Sequence, residues 1–210
     1  MDEKALFKLS YGLYIISSSH NGHDAGCVAN TLAQVTNSPN RLSIALNKNN
    51  DTTKVIQESG RFGAVVLTQG VDMEVIGTFG FHTSRDTQKF DQLAFLRDEA
   101  GVPYLTQHVA ARVSVKVSGS LDLGTHILFV GELEEAEILS NEEVMTYAYY
   151  HQVKNGLTPK NAPSYQETIP EKKVGWKCSV CGYIYEGDPL PADFICPICH
   201  QDASVFEKIV

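Results

Sequence analysis

VGWKCSVCGYIYEGDPLPADFICPICHQDASVFEKIV, residues 174–210, carries four of the chain's five cysteines as two Cys-x-x-Cys pairs, Cys178–Cys181 and Cys196–Cys199, with 14 residues between them. Such spacing is compatible with one tetrahedral site of four thiolates. Each knuckle folds back so that its two sulfurs face one ion while nearby backbone N–H groups hydrogen-bond to them. Gly182 follows the first knuckle, where the turn favours positive φ. His200 holds the equivalent place after the second and tolerates the left-handed region at some cost. His200 is also a candidate extra ligand, although four sulfurs already fill a tetrahedral site. A segment of 37 residues is too short to hold itself together by a hydrophobic core, so a bound metal serves as its staple. Ligand spacing alone accepts zinc and iron alike. Trp176, Tyr183, Tyr185 and Phe206 around the knuckles either shield a redox iron from water or simply fill a tiny core.

Upstream, residues 157–173 contain Pro159, Pro163 and Pro170 and few large aliphatic side chains, the composition of a semi-extended linker. The chain of 210 residues therefore divides into a larger domain (1–156), a linker (157–173) and a small metal domain (174–210). With 43% hydrophobic and 20% charged residues it has the composition of a globular chain rather than a disordered or fibrous one. No apolar run reaches the roughly 18 residues of a membrane span, and the N-terminus lacks the pattern of a signal peptide, so a soluble cytoplasmic protein is expected. In that compartment clustered cysteines speak for metal rather than disulfides, and the isolated Cys27 reads as a small buried hydrophobe. The net charge of −8, with −3 in the metal domain, excludes nucleic acid as the expected partner.

The larger domain reads as mainly β. Apolar runs at Tyr11–Ile16, Cys27–Val35, Arg41–Leu46 and Arg61–Leu67 are separated by turn clusters such as Asn21-Gly22-His23-Asp24. A short helix is expected over Asp51–Gly60, capped by Asp51 or Thr52 and ended by Gly60, and another over Asp72–Gly80. Ala111–Leu121 and His126–Leu139 around the turn Asp122–Thr125 read as a long hairpin, and Glu142–Val153 as a closing helix.

No Gly-x-Gly-x-x-Gly loop opens a helix after a strand, so a Rossmann cofactor site is not indicated. Polar residues instead collect at strand ends and helix starts: Asn30 and Thr31; Lys48, Asn49, Asn50 and Thr52; Ser84, Arg85, Asp86 and Lys89. Hydroxyls and amides at a helix start beside Lys or Arg make a phosphate cradle. Taken singly each has a plainer reading: a bulge for Asn30-Thr31, an N-cap for Thr52, a solvated pair for Arg85 and Asp86. His126 is a candidate proton carrier or stacking group, His82 reads as structural, and Tyr147, Tyr149 and Tyr150 as packing residues.

Two resemblances become specific on these residues. Cys-x-x-Cys-Gly-Tyr-x-Tyr, Pro191-x-Asp193, Cys-Pro-x-Cys and the terminal Phe-Glu resemble rubredoxin, with a shorter loop between knuckles and His200 in place of the usual glycine. That resemblance implies one iron held by Cys178, Cys181, Cys196 and Cys199. Residues 29–36, 47–52, 84–90 and 125–132 resemble the flavin reductase-like, FMN-binding split-barrel family. It implies a split β-barrel with short helices and a homodimer with FMN at its interface. Asn30 and Thr31 would lie by the isoalloxazine ring; Lys48, Asn49, Asn50 and Thr52, with Ser84, Arg85, Asp86 and Lys89, would bind ribityl and phosphate. Asn50 stands where that family often has serine. The two domains in this order resemble the high molecular weight rubredoxins. That implies electron flow from NADH through FMN to iron and on to a flavodiiron protein that reduces oxygen or nitric oxide. Two other readings are a flavin reductase with a structural zinc ribbon, and a carrier reduced by a separate protein.

Overall fold

The computed structural model describes residues 3–91, 93–154 and 175–209. The linker read at 157–173, and with it the domain boundary, lies outside the described residues. The larger domain opens with a hairpin of β1 (Tyr14–His20) and β2 (His23–Ala29). Its turn residues Asn21 and Gly22 both have positive φ, 50° and 80°, as a two-residue turn matched to strand twist requires. There follow β3 (Ala33–Asn37), β4 (Asn40–Asn47), α1 (Asp51–Ser59), β5 (Arg61–Leu67) and α2 (Met73–Phe81). A small hairpin of β6 (Phe95–Arg97) and β7 (Pro103–Leu105), the long β8 (Val109–Asp122) and β9 (His126–Ile138), and α3 (Tyr147–Gln152) complete it.

Seven strands form one antiparallel sheet in the order β2-β1-β5-β8-β9-β4-β3. Its two edges, β2 and β3, are consecutive in the chain and joined only by Asn30, Thr31 and Leu32. In a flat sheet, six strand spacings of ~4.8 Å would hold those edges roughly 29 Å apart. The connection reaches roughly 14 Å at full stretch. The sheet must therefore curl until its edges meet, giving a barrel split along the β2/β3 seam. Register shifts at Ser114/Val115 and Val117/Gly119 bend the β8–β9 ribbon to follow that curvature. Gly131 permits the tight bend, since a Cβ there would run into the Lys116 carbonyl.

Alternation along the strands fills two cores. Ile16, Phe62, Ala64, Ile44, Val115 and Phe129 point into the barrel with Ile56 of α1, whereas Ile15, Val65 and Leu67 face a second cluster with Ile76 and Phe79 of α2 and Tyr150 of α3. Burial on both faces explains why the strands read as near-continuous apolar runs. Tyr147 and Tyr149 pack against this second cluster, the packing role read for them, and Cys27 is buried in the first.

Three readings change. The run Cys27–Val35 is two strands, broken where the chain crosses the seam. The cap of α1 is Asn50, whose side chain accepts from Thr52 N, not Asp51 or Thr52; Gly60 ends the helix in the left-handed region as read (φ 69°). The closing helix is only Tyr147–Gln152, because Val144 and Thr146 are drawn into bridges with Thr68 and Gly12.

The metal domain is a three-stranded sheet, β10 (Gly175–Cys178), β11 (Ile184–Tyr185) and β12 (Phe206–Ile209), in the order β11-β10-β12. Among the described residues, no helix is long and apolar enough to cross a membrane.

Candidate metal centre and cofactor cleft

The two knuckles are built by the same backbone device. Gly182 N donates to Cys178 O at 2.9 Å, and His200 N donates to Cys196 O at 3.0 Å. Gly182 (φ 82°) and His200 (φ 55°) both take the left-handed conformation that the turn requires. Cys178, Cys181, Cys196 and Cys199 are all buried, and their four sulfurs lie within 4.8 Å of one another. The Cys178–Cys199 and Cys181–Cys196 sulfur pairs stand 3.6 and 3.5 Å apart. A tetrahedron with metal–sulfur bonds of ~2.3 Å has edges of roughly 3.8 Å, so the donor set fits one ion. Burial pushes the Cys181 thiol up; a bound ion supplies the charge that holds such sulfurs as thiolates. His200 is exposed and outside this donor set. Phe194 stacks with Tyr183, lies tilted against Tyr185 and meets Phe206 edge-on, at ring-centroid distances of 6.3, 4.7 and 5.4 Å, walling the sulfurs from water.

A second constellation forms at the barrel seam and the start of α1. Asn30 is buried and, with Thr31, Tyr11 and Tyr14, lines a cavity of about 320 Å³. The Thr31 hydroxyl donates to Ala45 O at 2.8 Å and so ties the crossing to β4. Asn50 caps α1, leaving Thr52 fully buried with its hydroxyl lacking a hydrogen-bond partner. His126 stands opposite Asn47 in the sheet; its Nδ1 lies 2.9 Å from Thr125 Oγ1, and its Nε2 is buried without a partner. Lys48 N donates to Thr125 O at 3.0 Å, which joins the α1 start to the His126 end of β9. Two orphaned polar atoms around one helix start fit a polar, anionic ligand such as a flavin phosphate.

The other sequence candidates divide. Arg85 reaches the same helix start, its Nε 3.3 Å from Asp51 Oδ1 and its guanidinium donating to Asn49 O at 3.1 Å. Ser84 and Lys89 are buried and turned to the backbone of β2. The Ser84 hydroxyl accepts from Gly26 N at 3.1 Å, and the Lys89 amine donates to Gly26 O at 2.8 Å and Phe79 O at 3.3 Å. Burial brings the Lys89 amine down to about 8. Lys48 turns outward to Asp122 at 2.6 Å, and Asp86 is exposed. His82 takes the C-cap position of α2. Sequence reading missed Asp51 as a hub: its buried carboxylate takes His23 Nε2 at 2.7 Å as well as Arg85, drawing an imidazole and a guanidinium to the α1 start.

Residues 6–158 match the flavin reductase-like domain model, and residues 176–207 match the rubrerythrin, rubredoxin-like domain model. The chain is 38% identical to the high molecular weight rubredoxin of Moorella thermoacetica, over all of both chains. It is 47% identical to the ferric-chelate reductase (NAD(P)H) of Archaeoglobus fulgidus, over 80% of this chain and 99% of that one. Among solved structures, the NADH:FAD oxidoreductase SgcE6 of Streptomyces globisporus C-1027 shares the fold. It superposes with a TM-score of 0.62 at 20% identity, over 68% of this chain and 84% of that one.

Proposed function

The chain belongs to the flavin reductase-like family and ends in a rubredoxin-like domain, and from that pairing we propose that it moves electrons from NADH, by way of FMN, to a four-thiolate iron. The observation that carries the reading is one chain holding both a closed set of four buried sulfurs at tetrahedral spacing and a helix start with two orphaned, buried polar atoms. When bound, a flavin supplies the conversion of a two-electron hydride into single electrons, and a four-thiolate iron supplies a one-electron relay. In balance, one NADH gives up a hydride, two ferric centres become ferrous, and NAD⁺ and one proton are released.

Each group in the cleft then has a task. Asn30 and Thr31 border the ring; Asn49, Asn50 and Thr52 offer polar atoms at the α1 N-terminus, Arg85, steered by Asp51, supplies positive charge there, and the His23 imidazole is a further polar group beside it. Lys48 and Asp86 reach the ligand only by leaving their places in this structure. Ser84 and Lys89 hold the surrounding segment onto β2. His126 Nε2 is free to hydrogen-bond to the cofactor. We take the site to be completed by the second subunit of a homodimer. The acidic metal domain suits a docking surface of opposite sign, and we take the acceptor to be a flavodiiron protein reducing oxygen or nitric oxide. A cytoplasmic location follows from this reading.

An anaerobic visible spectrum of the purified chain, before and after an excess of NADH, tests the proposal. Flavin and ferric-thiolate bands should both be present and both bleach. Flavin bands without iron bands would indicate a zinc ribbon. Both chromophores staying oxidised with NADH and NADPH would leave a carrier served by a separate reductase.

A further inference from the structure

We propose that α2 is a built-in docking seat for the metal domain, with Gly77 as the residue that makes the seat. Gly77 is buried, and a Cβ built on it would fall far inside contact distance of the Ile198 carbonyl oxygen; the three nearest heavy atoms all belong to Ile198. Ile198 lies inside the second knuckle, directly before the ligand Cys199. A backbone carbonyl of the metal loop therefore rests on the bare helix backbone at a spot where any side chain would hold it off.

Phe81, four residues on and so on the same helix face, packs into the cluster formed by the four cysteines, Trp176, Tyr183 and Tyr185. The other side of α2 is committed to the barrel. Ile76 and Phe79 are buried in the second core, and Phe79 lies so close over β2 that Gly26 has no room for a Cβ. Two buried faces explain the sequence of α2, MEVIGTFGF, which has a single charged residue where a helix covering one core would show a polar stripe. They also explain a glycine at mid-helix, where alanine is the better helix former.

The seat holds the second knuckle against α2, the helix that leads in sequence to Ser84, Arg85 and Lys89. One consequence rests on the function proposed above: Gly77 is then a positioning residue for electron delivery to iron.

Gly77→Ala in the full chain, loaded with flavin and iron, separates these roles. Alanine is the better helix former and meets Ile198 before anything in the barrel, so the variant should fold and bind flavin as the wild type does. Small-angle scattering should show a compact wild type, and a larger radius of gyration and maximum dimension for Gly77→Ala. Phe81→Ala, which removes the neighbouring contact without adding bulk, should shift the scattering in the same direction. A wild type that scatters as two separated bodies, or variants that scatter as the wild type does, would overturn the proposal. With NADH, Gly77→Ala should bleach its flavin at the wild-type rate and its iron at least tenfold more slowly. Failure of NADH to bleach the wild type would sink the electron-transfer reading and leave the scattering result to decide the seat.

Discussion

His200 sits at φ 55° where the first knuckle uses Gly182 at φ 82°. A side chain in the left-handed region costs roughly 1–2 kcal/mol, partly offset by the greater freedom glycine loses on folding. His200→Gly should therefore stabilise the iron site by about 0.5–1 kcal/mol, seen as a higher denaturant midpoint for loss of the iron absorption; a lower midpoint would mean the imidazole makes contacts worth more than the strain. Thr52 tests the cleft. Its buried hydroxyl has no partner, so Thr52→Val, which keeps the shape and removes the orphan, should leave the flavin-free melting temperature equal or higher while weakening flavin binding at least tenfold by titration. Unchanged affinity would take Thr52 out of the site. Lys89 gives a pH signature. Its amine is brought down to about 8 by burial, from 10.5, so between those values the unfolded chain binds more protons and stability rises with pH. Below pH 8 the full cost of burying the charge, on the order of 3 kcal/mol, is present. Compared with Lys89→Met, the wild type should gain in unfolding free energy between pH 7.5 and 10; parallel curves would refute the shift. The four sulfurs were legible in the sequence because ligand spacing within a knuckle is local. The hub at Asp51 was not, because His23 and Arg85 arrive from segments 28 and 34 residues away.

At the scale of elements, α1 shows what local chemistry specifies. Asn50 at its start and Gly60 at its end bracket the helix. Asn50→Ala should cost about 1 kcal/mol, a fall of roughly 2–4 °C in melting temperature for a chain of this size; a shift below 1 °C would mean that the neighbouring Thr53 N–H bond to Asn50 O carries the start unaided. The opposite case is 142–146, whose composition suits a helix yet which runs extended. Its conformation is decided by Thr68 and Gly12, 76 and 134 residues before their partners Val144 and Thr146, and no reading of the segment by itself contains them. The break at Asn30–Leu32 is similar: Asn30 and Thr31 interrupt the apolar run Cys27–Val35, but a polar pair suits a bulge as well as a crossing, and only the ordering of strands reveals that the chain changes edges there.

For the whole molecule, the two domains rest on different forces. The barrel has two apolar cores, whereas the small domain's core is centred on its four sulfurs. Stripping the metal should therefore melt the 175–209 segment alone, with loss of its amide protection in hydrogen exchange, while the barrel retains its own unfolding transition. A single transition for both would show that the seat on α2 couples them. The seam between β2 and β3 has a further meaning. Those strands are the two open margins of the sheet, and Asn30 and Thr31 stand both in the crossing and on the wall of the cleft. A ligand held there works as a clasp: its binding energy opposes the unzipping of the margins, and the strands whose bare edges would recruit other chains stay covered while the clasp is shut.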